Sequence, residues 1–505
     1  MLSNSFSLAL HGINAVKVEI EVDIIKGLPN FTIVGLPDSV IRESKDRIRS
    51  AIENSGYEFP PRNFIVNLAP AGFKKQGANF DLPIAIAILQ STRQIDCNAE
   101  RIPMVGELSL DGRIKSVKGA ISMAIALYKL GYKKFIVPFN NRHEASVING
   151  IEIYPVENIQ MVVDSLNGKL QPFKGEVLRA ENISGLYDFK DVKGQESARR
   201  GLEIAAAGRH NILLYGAPGS GKTMLAKRIS SILPPLDIEK AIETTMIHSV
   251  SGSLPGDEGL IKIPPFRSPH HSASEAAIVG GGVNPGAGEV SLAHNGILFL
   301  DEFVEFQNNV IQALRQPLED KEITVARAAG TVTFPADFML VAASNPCQCG
   351  YLFDEDIQCT CPKQKIHKYY HKIAGPIVDR IDIEVLVNRV PYKDLIDYCD
   401  SESSSDIKAR VIRAVEIQKK RFNGSDILFN SRMGNRDIRR FCKIGSDDEA
   451  FFEDAVKKMH ISARTFFKIL KVSRTIADLD NSQNLERRHL LEAISYKNLY
   501  KNYKV

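Results

Sequence analysis

The stretch Asn211-Ile-Leu-Leu-Tyr-Gly-Ala-Pro-Gly-Ser-Gly-Lys-Thr223 decides the fold class. Its last eight residues match the pattern G-x-x-x-x-G-K-[ST], an apolar strand precedes them, and the helix-compatible run Met224–Ser231 follows them. Glycines in such a loop let backbone N–H groups turn toward phosphates, and the N-terminus of the next helix favours negative charge. The pattern therefore predicts a strand–loop–helix unit that binds a nucleotide, and the alternative is a glycine-rich turn with a chance lysine.

Every residue of this loop is a candidate phosphate ligand. Lys222 would place its ammonium against the β- and γ-phosphates, and the Thr223 hydroxyl would bind Mg²⁺. The predicted nucleotide ligands in the loop are Gly216, Ala217, Pro218, Gly219, Ser220, Gly221, Lys222 and Thr223.

Two later strands end in polar residues that a phosphate loop requires. The run Gly296-Ile-Leu-Phe-Leu is followed by Asp301 and Glu302, and the run Phe338–Ala343 is followed by Ser344 and Asn345. We expect Asp301 to hold Mg²⁺ together with Thr223, Glu302 to act as general base on water, and Asn345 to position that water. The alternatives are solvated acids after a strand and a turn-forming asparagine.

The order of these motifs, followed by Gly375-Pro-Ile-Val-Asp-Arg-Ile-Asp382, resembles an AAA+ ATPase. The resemblance implies a P-loop αβα core with a helical lid. It also implies that Arg380 is an arginine finger on the ATP of a neighbouring subunit, worth about 10³–10⁵ in rate in related systems. Arg464 in Ile461-Ser-Ala-Arg resembles the sensor-2 arginine, with Arg474 as the rival. The alternative for Arg380 is an ordinary ion pair with Asp379 or Asp382.

Further segments resemble a narrower family, the magnesium-chelatase-like ComM/YifB family, over essentially the whole chain. They are Arg267–Glu275, Gly280–Gly286, Gly288–Gly296 and Ala343–Gly350. Members are bacterial hexameric AAA+ motors, and ComM proteins are DNA helicases that promote branch migration in natural transformation. The resemblance implies a homo-hexamer that uses ATP and Mg²⁺ and binds single-stranded or branched DNA, with recombination proteins as partners.

Three regions are candidates for contact with DNA. The stretch Pro264–Gly288 resembles the helix-2 insert of this clade, and Glu322–Phe334 is predicted to be a hairpin that resembles the pre-sensor-1 hairpin in the ring pore. A basic and aromatic stretch follows the cysteines described next. The candidate residues are Arg267, His270, His271, Arg327, Lys363, Lys365 and Lys368. The alternatives are structural hydrogen bonds for the histidines and solvated surface for the others, and we find no base-reading signature.

Four of the seven cysteines lie on one polar loop, as the pairs Cys347-x-Cys349 and Cys359-x-Cys361. Four thiolates suit the tetrahedral coordination of Zn²⁺, and a metal could organise a loop that has no obvious core. We therefore predict a Cys₄ zinc site. The alternatives are unrelated reduced thiols and an iron–sulfur cluster.

The N-terminal part resembles the Lon-protease-like domain, an α/β fold of the ribosomal S5 domain 2 type. The resemblance rests on Lys75–Phe80 and Val105–Gly119. It places Asn79 at the position of the nucleophilic serine and Met123 at that of the catalytic lysine, and neither side chain can perform the chemistry. We therefore expect a binding or assembly role rather than peptidase activity.

Composition limits the remaining choices. The chain has 505 residues, 44% of them hydrophobic and 25% charged, with a net charge of +4, which is typical of a globular protein. No apolar run approaches the roughly 18 residues of a membrane helix, and the few cysteines favour a reducing compartment, so we expect a cytoplasmic protein. The expected organisation is a Lon-like domain (1–170), a linker (171–187), an AAA+ core (188–390) and a helical lid (391–505).

These observations favour a hexameric ATP-driven DNA translocase or helicase. A chelatase-like motor that remodels a protein partner is the second hypothesis, and an ATP-dependent Lon-like protease is the third. The missing Ser–Lys pair argues against the protease, and the cysteine loop together with the full-length resemblance argues against the chelatase-like motor.

Overall fold

The computed structural model describes residues 2–97, 99–175, 187–254, 259–282, 286–327, 330–354, 356–373, 377–390, 401–425, 427–459 and 461–497. Most of the predicted linker and the start of the predicted lid lie outside these ranges, and for Arg327, a predicted DNA contact, only the backbone is described. Within them, no helix combines the length and the apolar character needed to cross a bilayer.

The chain divides into two compact units. The first consists of Met1–Ala180, Asp237–Lys262 and Ala328–Phe334, and the second of Glu181–Leu236, Ile263–Arg327 and Pro335–Val505. The first unit thus takes in two later segments beyond the domain predicted at 1–170.

The first unit is a mixed α/β structure built on a four-stranded sheet. From one edge to the other, the strands are Ser3–His11, Asn14–Ile25, Asn63–Ala69 and Asn30–Val34, and only the last two neighbours are parallel. The shorter strands are Glu107–Leu108, Ile114–Lys115, Lys134–Pro138 and Glu152–Val156. The helices are Ser39–Asn54, Asp81–Ser91, Ala120–Lys129, Arg142–Ala145, Ile159–Leu166 and Ile238–Ser251.

Local sequence explains these elements. The Asp38 carboxylate accepts a hydrogen bond from the Ile41 amide at 2.9 Å and so caps the first helix, which buries Ile41, Ile48 and Ile52 on one face. The helix Asp81–Ser91 is buried almost throughout, as its continuous apolar sequence indicates.

The second unit contains a five-stranded parallel sheet flanked by helices. Its strands, in order, are Phe266–Arg267, Ile297–Leu300, Met339–Ser344, Ile212–Tyr215 and Ile383–Leu386. The three central strands are fully buried, which explains why they are continuous apolar runs in the sequence. The carboxyl ends of parallel strands lie side by side, so the residues that follow these strands come close together.

Helices cover this sheet and form the C-terminal part of the same unit. They are Glu196–Gly208, Lys222–Ile232, Glu275–Val279, Glu289–Leu292, Asn308–Ala313, Arg315–Asp320, Lys363–Ile373, Ser404–Arg421, Asn435–Phe441, Ser446–Lys458, Ala463–Leu479 and Arg487–Ser495. One hydrophobic cluster joins the C-terminal helices to the sheet, with Val411 and Ile469 packed in the same core as Leu214.

The predicted hairpin is confirmed. The strands Glu322–Arg327 and Gly330–Pro335 form a two-stranded sheet. A second small antiparallel sheet, Gly280–Gly281 with Gly286–Ala287, lies in the region predicted to be an insert. The structure is therefore a mixed α/β fold, with a parallel αβα core and C-terminal helices in the second unit, and the predicted α/β class is confirmed.

Candidate nucleotide site

The phosphate loop leaves the central strand Ile212–Tyr215 and enters the helix Lys222–Ile232. Gly219 and Gly221 have φ angles of +76° and +92°, a region of backbone conformation that favours glycine. These positions explain why the pattern requires glycine, since a side chain there would strain the turn. The result is a helix N-terminus directly behind a loop of backbone amides.

Lys222 lies inside this loop and is only 9% exposed. Its ammonium donates hydrogen bonds to the carbonyl oxygens of Gly216 and Ala217, at 2.8 and 2.9 Å, and to Oδ1 of Asn345 at 3.2 Å. Burial lowers the pKa of Lys222, and the charges of Asp301 and Glu302 oppose that change. The structure thus brings the predicted lysine and the predicted water-positioning asparagine together.

The predicted magnesium ligands also meet. The Thr223 hydroxyl donates to Oδ2 of Asp301 at 2.6 Å, and the other carboxylate oxygen of Asp301 accepts from the Glu302 amide at 2.9 Å. A hydroxyl and a carboxylate at the mouth of a phosphate loop are oxygen donors of the kind that Mg²⁺ prefers. These residues fit the ion that the sequence predicts.

Glu302 is turned out of the sheet by an unusual backbone conformation. Its φ angle is +50°, which is uncommon for a residue other than glycine and costs about 1–3 kcal/mol where it occurs. Its side chain is 60% exposed, and Oε2 lies 3.3 Å from Nδ1 of His271. His271, a predicted DNA contact, is therefore placed beside the predicted general base.

Arg380 and Arg464 are brought together elsewhere in the unit. The Arg380 guanidinium donates to the carboxylate of Glu319, and Nη2 of Arg464 lies 3.9 Å from Oε1 of the same carboxylate. The partner of Arg380 in this ion pair is Glu319, whereas the alternative from the sequence is Asp379 or Asp382. Arg474 is 2% exposed and its guanidinium pairs with Asp478, with Nη2 3.0 Å from Oδ1, so it is part of the helical core.

Arg380 and Arg464 line a cavity of about 300 Å³. Six cationic side chains and two carboxylates contribute to it, together with apolar and amide groups. The charged residues are Arg209, Arg380, Arg432, Arg464, Lys468, Lys471, Glu319 and Asp382. Burial lowers the pKa of Lys468 to about 7, against the opposing charge of Asp382. The excess of cations makes this cavity suitable for an anion.

The cavity lies at the amino-terminal ends of the parallel strands, whereas the phosphate loop lies at their carboxyl-terminal ends. Asn211 and Asp382 line it, and they directly precede the strands Ile212–Tyr215 and Ile383–Leu386, whereas the phosphate loop follows Tyr215. A strand of this length spans about 13 Å at about 3.3 Å per residue. Among the described residues that line the cavity, none belongs to the phosphate loop.

The other predicted DNA contacts have mixed environments. Arg267 donates two hydrogen bonds of 2.7 Å to the carboxylate of Glu289, and this ion pair raises its pKa. The ring of His270 contacts the Ser272 hydroxyl at 2.8 Å. Lys363, Lys365 and Lys368 are exposed on the helix Lys363–Ile373, where Ile366 is buried. These lysines are free to meet a phosphate backbone, whereas Arg267 is engaged internally.

The four clustered cysteines converge. Sγ of Cys347 lies 3.3 Å from that of Cys349 and 3.7 Å from that of Cys359, and the last two are 3.5 Å apart. Together with Cys361, all four sulfur atoms lie within 4.8 Å of one another. Tetrahedral zinc with Zn–S bonds of about 2.3 Å places its sulfurs about 3.8 Å apart. The donor set therefore fits a single zinc ion.

The N-terminal unit shows what occupies the positions of the Lon dyad. Asn79 is buried and its amide donates to the Leu8 carbonyl at 2.6 Å, while Met123 is 1% exposed. The neighbouring Ser122 hydroxyl is buried and has no hydrogen-bond partner in the described structure. Asn79 has no hydroxyl and Met123 has no basic nitrogen, so these two side chains cannot act as a nucleophile and its base.

The fold and the site define the class of an AAA+ ATPase. The family model described as "Magnesium chelatase, subunit ChlI" matches residues 188–395, "Subunit ChlI of Mg-chelatase" matches 20–141, and "Magnesium chelatase, subunit ChlI C-terminal" matches 401–497. The "Uncharacterized protein YifB" of Escherichia coli (strain K12) is 43% identical over 98% of this chain and 97% of its own length. The chain belongs to the magnesium-chelatase-like ComM/YifB family.

Two other relatives agree with the family assignment and with the fold of the N-terminal domain. The "Competence protein ComM" of Haemophilus influenzae is 41% identical over 97% of this chain and 96% of its own length. "Lon protease 2" of Bacillus subtilis (strain 168) is 28% identical over 176 residues, which are 32% of each protein. The second likeness agrees with the Lon-like fold of the N-terminal domain.

Proposed function

We propose that this protein is a ring-forming ATPase, a homo-hexamer, that binds and translocates DNA as a helicase of branched substrates. One observation carries the proposal. Four predicted site residues gather at the carboxyl-terminal ends of the parallel strands: Lys222, Asp301, Glu302 and Asn345. Arg380 lies in a cationic cavity at the amino-terminal ends of these strands. An arginine so placed is suited to act on a nucleotide of a neighbouring copy, and a ring supplies such a neighbour to every copy.

The phosphate loop binds ATP through its backbone amides and the Lys222 ammonium. Mg²⁺, when bound by Thr223 and Asp301, neutralises charge on the β- and γ-phosphates. Glu302 takes a proton from water as the water oxygen attacks the γ-phosphorus, and the bond from that phosphorus to the bridging oxygen of ADP breaks. Asn345 orients the water, and its bond to Lys222 keeps its amide at this position.

Arg380 of the neighbouring copy stabilises the charge that develops on the transferred phosphoryl group. Arg464 shares the Glu319 carboxylate with Arg380, which supports a role on the same nucleotide. We therefore assign both arginines to the site in the adjacent copy. This assignment keeps Arg464 as the sensor arginine and gives Arg474 a structural role.

Two features support DNA as the substrate of the motor. One relative that matches the chain over nearly its full length is named a competence protein, and the chain carries a hairpin and a helix with exposed lysines. Lysines on a helix contact phosphates without reading bases, so binding that is independent of sequence is expected. Recombination proteins are the partners that this activity implies.

The second candidate is a chelatase-like motor that acts on a protein. All three matching family models are of a magnesium chelatase subunit, which favours this candidate. A strand-displacement assay on a labelled four-way DNA junction separates the two. The proposed function requires ATP-dependent resolution of the junction by the wild type and none by Glu302→Gln, whereas a junction that stays intact while ATP is hydrolysed would favour the protein remodeller.

A further inference from the structure

The cysteine loop lies directly against the nucleotide site. Gly350, between the two cysteine pairs, has a φ angle of +88°, and a Cβ atom there would lie 2.4 Å from Cδ of Pro218. Pro218 belongs to the phosphate loop. The backbone of the cysteine loop is therefore packed on the phosphate loop so closely that no side chain fits between them.

The same loop begins beside the residue that contacts Lys222. Asn345 accepts the hydrogen bond from Lys222 at 3.2 Å, and Cys347 follows two residues later with a buried side chain. The Gly350 amide donates to the Cys347 carbonyl at 3.0 Å, which closes a tight turn between these contacts. The cysteine turn thus touches the ATP site through Gly350 and continues directly into Asn345.

On its other side the loop contacts Arg389, which comes just after the strand Ile383–Leu386. Asp354 pairs with Arg389, Oδ2 to Nε, at 3.2 Å, and the Arg389 guanidinium lies 5.3 Å from the centre of the Tyr351 ring. Among the described residues from Cys347 to Cys361, only Cys347 and Phe353 have strongly buried apolar side chains. A loop with so few apolar contacts needs another source of rigidity to keep its place.

The distances between the sulfur atoms indicate what can make the loop rigid. Separations of 3.3–3.7 Å are far longer than the roughly 2.05 Å of a disulfide and close to the tetrahedral edge around one zinc ion. An iron–sulfur cluster spreads its thiolates around several metal ions. Four sulfurs within 4.8 Å therefore favour a single ion.

We propose that Cys347, Cys349, Cys359 and Cys361 bind one Zn²⁺ and that this ion keeps the phosphate loop and Asn345 in the conformation that binds nucleotide. The inference rests on the ATP site of the proposed function and adds a metal that this site depends on. The cysteine site is structural, since its four ligands leave no position for substrate. Coupling between two ligands is reciprocal, so nucleotide must also tighten zinc binding.

The test measures binding rather than hydrolysis. Full-length protein is analysed for metal, depleted with a chelator, returned to Mg²⁺, and titrated with a fluorescent ATP analogue before and after zinc is restored. The expected results are about one zinc per chain, an affinity for nucleotide about 5–150-fold weaker without zinc, and recovery on its return. Release of zinc to a colorimetric chelator is expected to slow when nucleotide is present.

Two pairs of variants separate coupling from misfolding. Cys359→Ser is expected to lose zinc and nucleotide affinity together, with Cys97→Ser as the control at a thiol outside the cluster. Gly350→Ala keeps all four thiolates and is expected to retain zinc yet bind nucleotide more weakly. Its control is Gly424→Ala, because Gly424 has a similar φ of +82° but no atom within 4 Å of an added Cβ.

Three results would overturn the inference. They are the absence of zinc from the purified protein, equal nucleotide affinity with and without zinc, and equal affinity in the two glycine variants. A zinc-loaded wild type that binds no nucleotide at all would overturn the ATP site of the proposed function as well. That outcome is distinct from equal affinity, which leaves the ATP site intact.

Discussion

Nδ1 of His271 lies 3.3 Å from Oε2 of Glu302, so the residue assigned to activate water is paired with a histidine from the inserted region. The pair is partly exposed, and exposed pairs of this kind contribute about 0.2–1 kcal/mol. A carboxylate that is held by His271 must leave it to accept a proton from water. The insert is therefore connected to the general base by one short contact.

Replacing His271 tests this connection. His271→Ala is expected to raise ATP hydrolysis in the absence of DNA by up to about fivefold, because the pair no longer restrains Glu302. Stimulation by DNA is expected to fall by a similar factor. The measurement is steady-state phosphate release with and without DNA.

The matched control is His270→Ala, since the His270 ring contacts Ser272 rather than Glu302. Unchanged rates in His271→Ala under both conditions would show that the pair does not restrain the base.

Removing the base itself gives the second prediction. Glu302→Gln keeps the shape of the side chain but cannot accept a proton, so hydrolysis is expected to fall by about 10²–10⁴ while nucleotide affinity is retained. Phosphate release and binding of a fluorescent ATP analogue measure the two effects. Glu305→Gln, an exposed carboxylate in the next turn, is the control, and normal turnover by Glu302→Gln would overturn the assignment.

The arginine finger gives the third prediction. Arg380→Ala is expected to lose about 10³–10⁵ in rate, because the charge on the transferred phosphoryl group is no longer stabilised. Since the finger serves a neighbour, a mixture of Arg380→Ala and Glu302→Gln subunits is expected to recover activity that neither variant has alone. In such a ring, an intact Glu302 on one copy meets an intact Arg380 on the next.

Arg474→Lys is the control for loss of an arginine outside the cavity. Mixed rings that form, as shown by their mass, and yet remain inactive would contradict action on a neighbouring copy.

The convergence of the core site was predictable from the sequence, because parallel strands end at one edge and Asp301, Asn345 and the phosphate loop each follow such a strand. The pairs His271–Glu302 and Arg380–Glu319 were not predictable. These residues lie in an insert and in short helices. Such segments are too short to show a hydrophobic periodicity, so the sequence does not predict where their side chains lie. The difference between Arg464 and Arg474 likewise depends on which face of one helix meets the core.

Lys468 gives a pH prediction. Burial lowers its pKa to about 7, with Asp382 and Asp379 opposing that shift and Lys497 and Arg464 adding to it. Between pH 7 and the unfolded value near 10.5, the unfolded chain binds more protons, so the stability that this group contributes rises with pH and is lost as pH falls through 7.

The free energy of unfolding of the wild type relative to Lys468→Met is therefore expected to increase by up to about 2 kcal/mol from pH 7 to pH 9. Denaturant titrations at several pH values measure it. A difference that is flat or falls with pH would show that Lys468 is protonated in the folded protein throughout this range.

The rate of ATP hydrolysis by the wild type, measured alone and with single-stranded and branched DNA, decides whether this protein is a DNA motor. An ATPase that moves along DNA is expected to hydrolyse ATP faster when DNA is bound. We predict clear stimulation by DNA that disappears in Glu302→Gln and in high salt, since the contacts are to phosphates. Hydrolysis at the same rate without DNA and with every DNA would show that DNA is not the substrate of this ATPase.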